Sequence, residues 1–125
     1  MSKSYRDLLV WQKSFTLTKE VYLLCEKLPK TEQYGLGSQL QRSAVSVPSN
    51  IAEGQQRSGN KEFSQFLSIA RGSAAELSTQ LMLTEEIFAI DTSELVIKPR
   101  RFKKCSIPSR ANCKLYTVNC KLHLS

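Results

Sequence analysis

Apolar positions recur at helical spacing through the first 95 residues of the chain. From Leu8 one row runs through Trp11, Phe15, Tyr22 and Cys25, and a second through Leu17, Val21, Leu24 and Leu28. Steps of three, four and seven place each row on one side of a helix, and together they make the broad stripe of a bundle helix. Pro29 and Lys30 break the period, and Thr31 is a suitable N-cap for a second helix. The stripe of that helix is Leu36, Leu40, Ala44, Val47 and Ile51, with Gly54 placed to end it. Pro48 inside it removes a backbone donor and predicts a kink.

A polar loop, Gln55 to Asn60, precedes a third helix. Asn60 is its expected cap, and Phe63, Phe66, Leu67, Ala70, Ala74, Leu77 and Leu81 share one face. Gly72, Ser73, Ala74 and Ala75 are small enough for close helix approach. Asp91-Thr92-Ser93-Glu94 reads as the start of a fourth helix, with Asp91 or Thr92 capping and Leu95 the first apolar position. Beyond it, Val96 to Ser125 has no sustained 3.6 period and carries Pro99 and Pro108.

The pattern predicts an all-α protein: an antiparallel up-down four-helix bundle with the fourth helix truncated or replaced. Residues 1–95 form the bundle, three helices plus the start of a fourth, and residues 96–125 a poorly ordered tail. Without the fourth stripe, a groove lined by Trp11, Phe15, Phe66 and Leu77 is expected to face water.

Composition sharpens this division. A chain of 125 residues suits one domain, and 41% apolar with 23% charged residues argues against a disordered chain. The net charge of +7 invites a nucleic-acid reading. Residues 1–95, however, hold ten Lys/Arg and all eleven Asp/Glu, a balance of −1, whereas residues 96–125 hold eight Lys/Arg and no acid. The basicity belongs to the tail. Leu8 to Trp11 is too short an apolar run for a signal-peptide core, and no run nears the ~20 residues of a membrane span. A cytoplasmic location with reduced thiols is expected.

Candidate chemistry is sparse. Cys105, Cys113, Cys120 and His123 offer zinc-type ligands, but their separations of eight, seven and three lack a Cys-x-x-Cys knuckle, so no metal is expected. The single His lies in the tail, and neither a nucleophile elbow nor a phosphate loop is present, so no catalysis, cofactor or small-molecule substrate is expected. Ser43, Ser46, Ser49 and Asn50 surround Pro48 and are expected to cap the carbonyls that it frees and to hydrogen-bond between helices. Arg42, Glu53 and Glu76 are candidates for inter-helix ion pairs, with a solvated face as the alternative. The run Lys98, Arg100, Arg101, Lys103, Lys104 can bind phosphates non-specifically, but a disordered cationic tail without a selected partner is the better reading.

Specific stretches carry a resemblance. They are Arg6-Asp7-Leu8 with Val10-Trp11-Gln12-Lys13, Tyr34-Gly35-Leu36 with Ser38-Gln39-Leu40, and above all Ser43 to Gly54, which reads Ser-Ala-Val-Ser-Val-Pro-Ser-Asn-Ile-Ala-Glu-Gly. Lys61-Glu62-Phe63, Phe66-Leu67, Ile69-Ala70, Gly72-Ser73, Glu76-Leu77 and Gln80-Leu81 continue it. Over residues 6–95 the chain resembles the 23S rRNA intervening-sequence (S23-like) proteins, which are four-helix bundles. The resemblance implies a small non-enzymatic assembly protein, nucleic-acid-associated through an oligomer. By analogy with an accessory protein of diversity-generating retroelements, it implies a homo-oligomer of pentameric form with RNA or a reverse-transcriptase-like partner. The nucleic-acid-binding candidates are Arg42, Arg57, Lys61 and Arg71. The alternative is a purely structural or protein-interaction scaffold.

The family's fourth helix ends roughly as two acids, Ile-x-Lys-Met-Leu-x-x-Leu-x-x-Lys-Leu, and the tail departs from this. A one-base shift, in which each codon takes the third base of one residue and the first two of the next, restores it. Arg100 and Arg101 then permit Glu-Glu, Phe102 Ile, and Lys104-Cys105-Ser106 Lys-Met-Leu. Cys113 must yield Leu, because the third base of the preceding Asn112 codon is a pyrimidine and CTG and TTG both encode Leu. The decoded apolar positions 102, 105, 106, 109 and 113 form a helical stripe. Residues from about Val96 therefore read as a frameshifted translation of that helix.

Overall fold

The computed structural model describes residues 4–95, and within them it is all-α. Three long helices follow one another: α1 (Leu9–Cys25), α2 (Leu36–Gln56) and α3 (Asn60–Phe88). Tyr5–Asp7, Lys30–Glu32 and Ser93–Leu95 are single 3₁₀ turns. The expected start of a fourth helix is thus one turn, and the expectations for residues 96–125 lie outside the described residues.

The connections are short, which makes consecutive helices antiparallel neighbours. The cross-helix bonds agree. On the α1–α2 side Thr18 meets Ala44 and Cys25 meets Gly37; on the α2–α3 side Ser43 meets Gln80 and Ser46 meets Ser73. In each pairing one number rises as the other falls. α2 is the central helix and packs against both of the others.

The core consists of Leu17, Val21, Leu24 and Leu28, then Leu40, Ala44, Val47 and Ile51, then Phe63, Leu67, Ala70, Ala74, Leu77 and Leu81. These are the predicted rows of α2 and α3, except the half-buried Leu36 and Phe66, but only the second row of α1. The first row divides: Leu8, Trp11 and Cys25 are partly buried and pack against the core, while Phe15 and Tyr22 are 46% and 47% exposed. One helix face about 100° wide cannot bury both rows, and the row rich in branched aliphatics is the one that does. The expected open groove is corrected with it. Leu77 is fully buried, Phe66 is half-buried and Trp11 packs against the core, so of the four only Phe15, 46% exposed, faces water as expected.

Several helix ends differ from expectation. Thr31 lies in a 3₁₀ turn, and α2 is capped by Glu32, whose carboxylate accepts the Leu36 N–H at 3.1 Å. At α3 the chain enters through Gly59, and Asn60 is the first helical residue with no side-chain cap. Gly54 does not end α2; it lies inside the last turn because the helix passes Phe66 there. A Cβ at Gly54 would stand 2.6 Å from Cβ of Phe66 and 3.1 Å from the Phe63 ring. Gly72, by contrast, has open space around it, so close approach in α3 falls to Ser73 and Ala74.

α3 stops at Ala89, whose backbone is left-handed at φ 52° and whose N–H bonds the Glu85 carbonyl. The chain then turns back. Asp91 accepts the Ser93 N–H at 2.9 Å, as its capping role predicts, and the buried Thr92 hydroxyl donates to Glu85 at 3.2 Å. Leu95 is buried beside the core, against α1.

Candidate interaction surface

Pro48 sits on the α1-facing side of α2 and is buried. Lacking an N–H, it leaves the Ala44 carbonyl without its usual partner one turn back. The sequence pattern assigns that gap to Ser43, Ser46, Ser49 and Asn50, and the structure corrects the assignment. The hydroxyl of Thr18, from α1, lies 3.0 Å from the Ala44 oxygen and 2.8 Å from its own Ser14 carbonyl. The inter-helix bonds expected of the cluster are present on the other flank of α2, made by Ser43 and Ser46, while Ser49 is exposed. Ser43 bonds Gln80 at 2.7 Å, Ser46 bonds Ser73 at 2.7 Å, and Asn50 donates back to Ser46. The short polar residues of the Ser43–Gly54 run and the Pro48 gap thus tie α2 to both neighbours.

The four basic candidates do not share one face. Arg42 is exposed on the outward side of α2, and Lys61 is exposed in the first turn of α3. Arg57, just past α2 and four residues before Lys61, pairs with Glu53 at 3.0 Å and lies over the Phe66 ring at 5.3 Å. That pair is intrahelical in spacing, which corrects the inter-helix role expected of Glu53. Glu76 likewise accepts from Gln80 one turn along its own helix. Arg71 precedes Ser73 by two residues, so it is turned about 200° around α3 from the α2-facing side.

Two other surfaces are more distinctive. Along the outer edge of α1, Tyr5 meets Trp11 edge-on at 5.3 Å, and Trp11 stacks on Phe15 at 4.9 Å. Arg6 lies over Tyr5 and Lys19 over Phe15. Exposed Val45 of α2 lies on the same flank. Along the outer edge of α3, Ile69, Leu83 and Ile87 are 52%, 46% and 63% exposed. Their spacing puts them on one row, beside the residues that face α2. Sequence reasoning expected Phe15 to face water, though in a groove with Leu77 rather than along this edge, and missed the α3 edge. The available signal was the surplus row in α1 and the three aliphatics off the predicted stripe of α3.

Two titratable groups are displaced from their ordinary values. Burial pushes the Cys25 thiol up, and its S–H points at the Gly37 carbonyl 3.7 Å away. The Ser93 hydroxyl and backbone N–H hold the exposed Asp91 carboxyl down, with a smaller pull from Lys27. Among the described residues no group of His, Cys, Asp and Glu is placed to hold a metal, and no helix is long and apolar enough to cross a membrane. The zinc-type ligands Cys105, Cys113, Cys120 and His123 lie outside the described residues.

An antiparallel helical module whose central helix carries a proline-containing Ser/Asn run is the class that these features define. The profile of the 23S rRNA-intervening sequence protein family matches residues 6–100, and the chain belongs to that family. The match runs five residues past Leu95, beyond the point where the sequence resemblance fades. Comparison with curated proteins finds no match.

Proposed function

We propose that the protein is a non-enzymatic assembly module that works as a homo-oligomer and, in that form, associates with RNA. The observation that carries self-association is the pair of apolar edges. Phe15, Tyr22, Ile69, Leu83 and Ile87 are each about half exposed or more, in a domain small enough that such surface is costly to leave in water. The RNA partner rests on membership of the intervening-sequence family. The near-neutral charge of residues 1–95, with Arg57 engaged by Glu53, favours a second reading, a protein-interaction scaffold that binds no nucleic acid.

Salt separates the two. Binding of the full chain to RNA is compared with that of a version in which Lys98, Arg100, Arg101, Lys103 and Lys104 are serine. If the bundle itself binds, the serine version keeps measurable affinity and a negative slope of log affinity against log salt. Loss of binding with the tail charges assigns the RNA contact to the tail and leaves the scaffold.

The same reading takes the bundle as four-helical in its intact form, with the frame displaced by one base after about Val96. The turn at Ser93–Leu95, which buries Leu95 and contacts α1, supports it as the beginning of such a helix. The nucleotide sequence between Leu95 and Cys113 tests this directly. Codons incompatible with Met or Leu at the shifted positions would overturn it.

A further inference from the structure

Resting on the self-association just proposed, we infer that the two exposed edges bind each other: the aromatic edge of α1 in one copy packs on the aliphatic edge of α3 in the next. The edges differ in chemistry and complement each other. Within α1, Lys19 is the charged residue lying on the aromatic row, with its ammonium 5.6 Å from the Phe15 ring centre. On α3, the row from Glu62 through Ile69, Glu76, Leu83 and Ile87 carries two acids and no base, since Lys61 and Arg71 project to other sides. Lys19 of one copy therefore faces Glu76 of the next, between rings on one side and aliphatic chains on the other. A like-with-like contact would set Lys19 against Lys19, or Glu76 against Glu76, inside an apolar patch, which is unfavourable.

Placement fits as well. Thr18 and Cys25 fix which side of α1 meets α2, and Ser73 and Gln80 do the same for α3. The aromatic row then stands on one flank of α2 and the aliphatic row on the other, separated by exposed Arg42, Ser49 and Glu53. The aromatic row can seat on part of the aliphatic one: Trp11 to Tyr22 spans about 16 Å and Ile69 to Ile87 about 27 Å at 1.5 Å per residue. Unlike edges on opposite flanks make a head-to-tail contact that leaves one edge of each kind free on every growing assembly. Half-exposed aromatic side chains rimmed by a cation have the composition of interface anchors.

The test uses the full chain under reducing conditions and two variants, Phe15→Glu and Leu83→Lys, each at an exposed position. Helix content by circular dichroism is expected to match the parent. Sedimentation velocity is expected to show concentration-dependent association of the parent, weakened by about 30-fold or more in either variant alone. Mixed one to one, the variants should form a discrete dimer, because one keeps a sound α3 edge and the other a sound α1 edge. Monomers in the mixture, or association unchanged in either variant, would overturn the pairing while leaving self-association standing. A parent that stays monomeric at every concentration would overturn both.

Discussion

The hydroxyl of Thr18 occupies the carbonyl of Ala44 that Pro48 leaves open, 3.0 Å away across the α1–α2 contact. A proline in mid-helix costs about 3 kcal/mol or more when nothing replaces the lost bond. Here the replacement comes from another helix, so the defect in α2 doubles as the docking point for α1.

Removing the hydroxyl should therefore matter only while the proline is present. Thr18→Val leaves the Ala44 oxygen unsatisfied and is expected to cost about 1–3 kcal/mol in urea unfolding. In a Pro48→Ala background the backbone N–H at 48 bonds Ala44 itself, and the same change should cost well under half as much. Equal costs in both backgrounds would remove the link between the two residues.

Glycines 54 and 72 should respond in opposite directions to alanine. At Gly54 the new methyl meets Phe66 at 2.6 Å, so Gly54→Ala is expected to destabilise by about 1–3 kcal/mol. At Gly72 nothing lies within 4 Å, and Gly72→Ala is expected to stabilise by about 0.5–1 kcal/mol through helix propensity. Thermal unfolding of the two variants checks both signs.

Alkaline pH should weaken the fold through Cys25. Its folded pKa is raised, so the neutral thiol is the form that the fold favours. The stability it contributes is present below the unfolded thiol pKa and is lost as pH rises through the folded one. In a chain with Cys105, Cys113 and Cys120 replaced by serine, Cys25 should alkylate more slowly than an unfolded cysteine, and the gap should close on adding urea. A rate equal to the unfolded one under native conditions would contradict the burial.

Asp91 carries the opposite sign. Its carboxyl is held low by Ser93, so the turn it caps is stabilised above the unfolded carboxyl pKa and loses that support as pH falls through the folded value. Asp91→Asn should flatten the acid-side dependence of amide exchange at Ser93 and Leu95 while leaving exchange in α2 unchanged.

The helices and most of the core are legible because period-3.6 apolar rows are written directly in the sequence; Leu40, Val47, Phe63 and Leu81 need nothing more. What the rows leave open in α1 is choice. Two rows satisfy the same periodicity, and only packing against Ala44 and Gly37 decides that Leu17 and Val21 turn inward while Phe15 and Tyr22 stay out. Caps are misread for a related reason. Thr31 and Asn60 have capping chemistry, but Glu32 reaches the Leu36 N–H through the geometry of a turn that the sequence does not spell out. The polar run around Pro48 is recognisable as a unit; its division, Ser43 and Ser46 toward α3 and the open carbonyl toward α1, depends on a residue 30 positions away. The basic candidates fail to gather because charge type says nothing about which side of a helix a residue leaves from.

Synthesis runs from the N-terminus, and the Thr18–Ala44 contact gives that order a use. The helix that owns the donor is complete before the helix that lacks one emerges. When Pro48 clears the ribosome, the flaw it makes already has its remedy at hand, so the nascent chain has reason to close α1 on α2 before α3 exists.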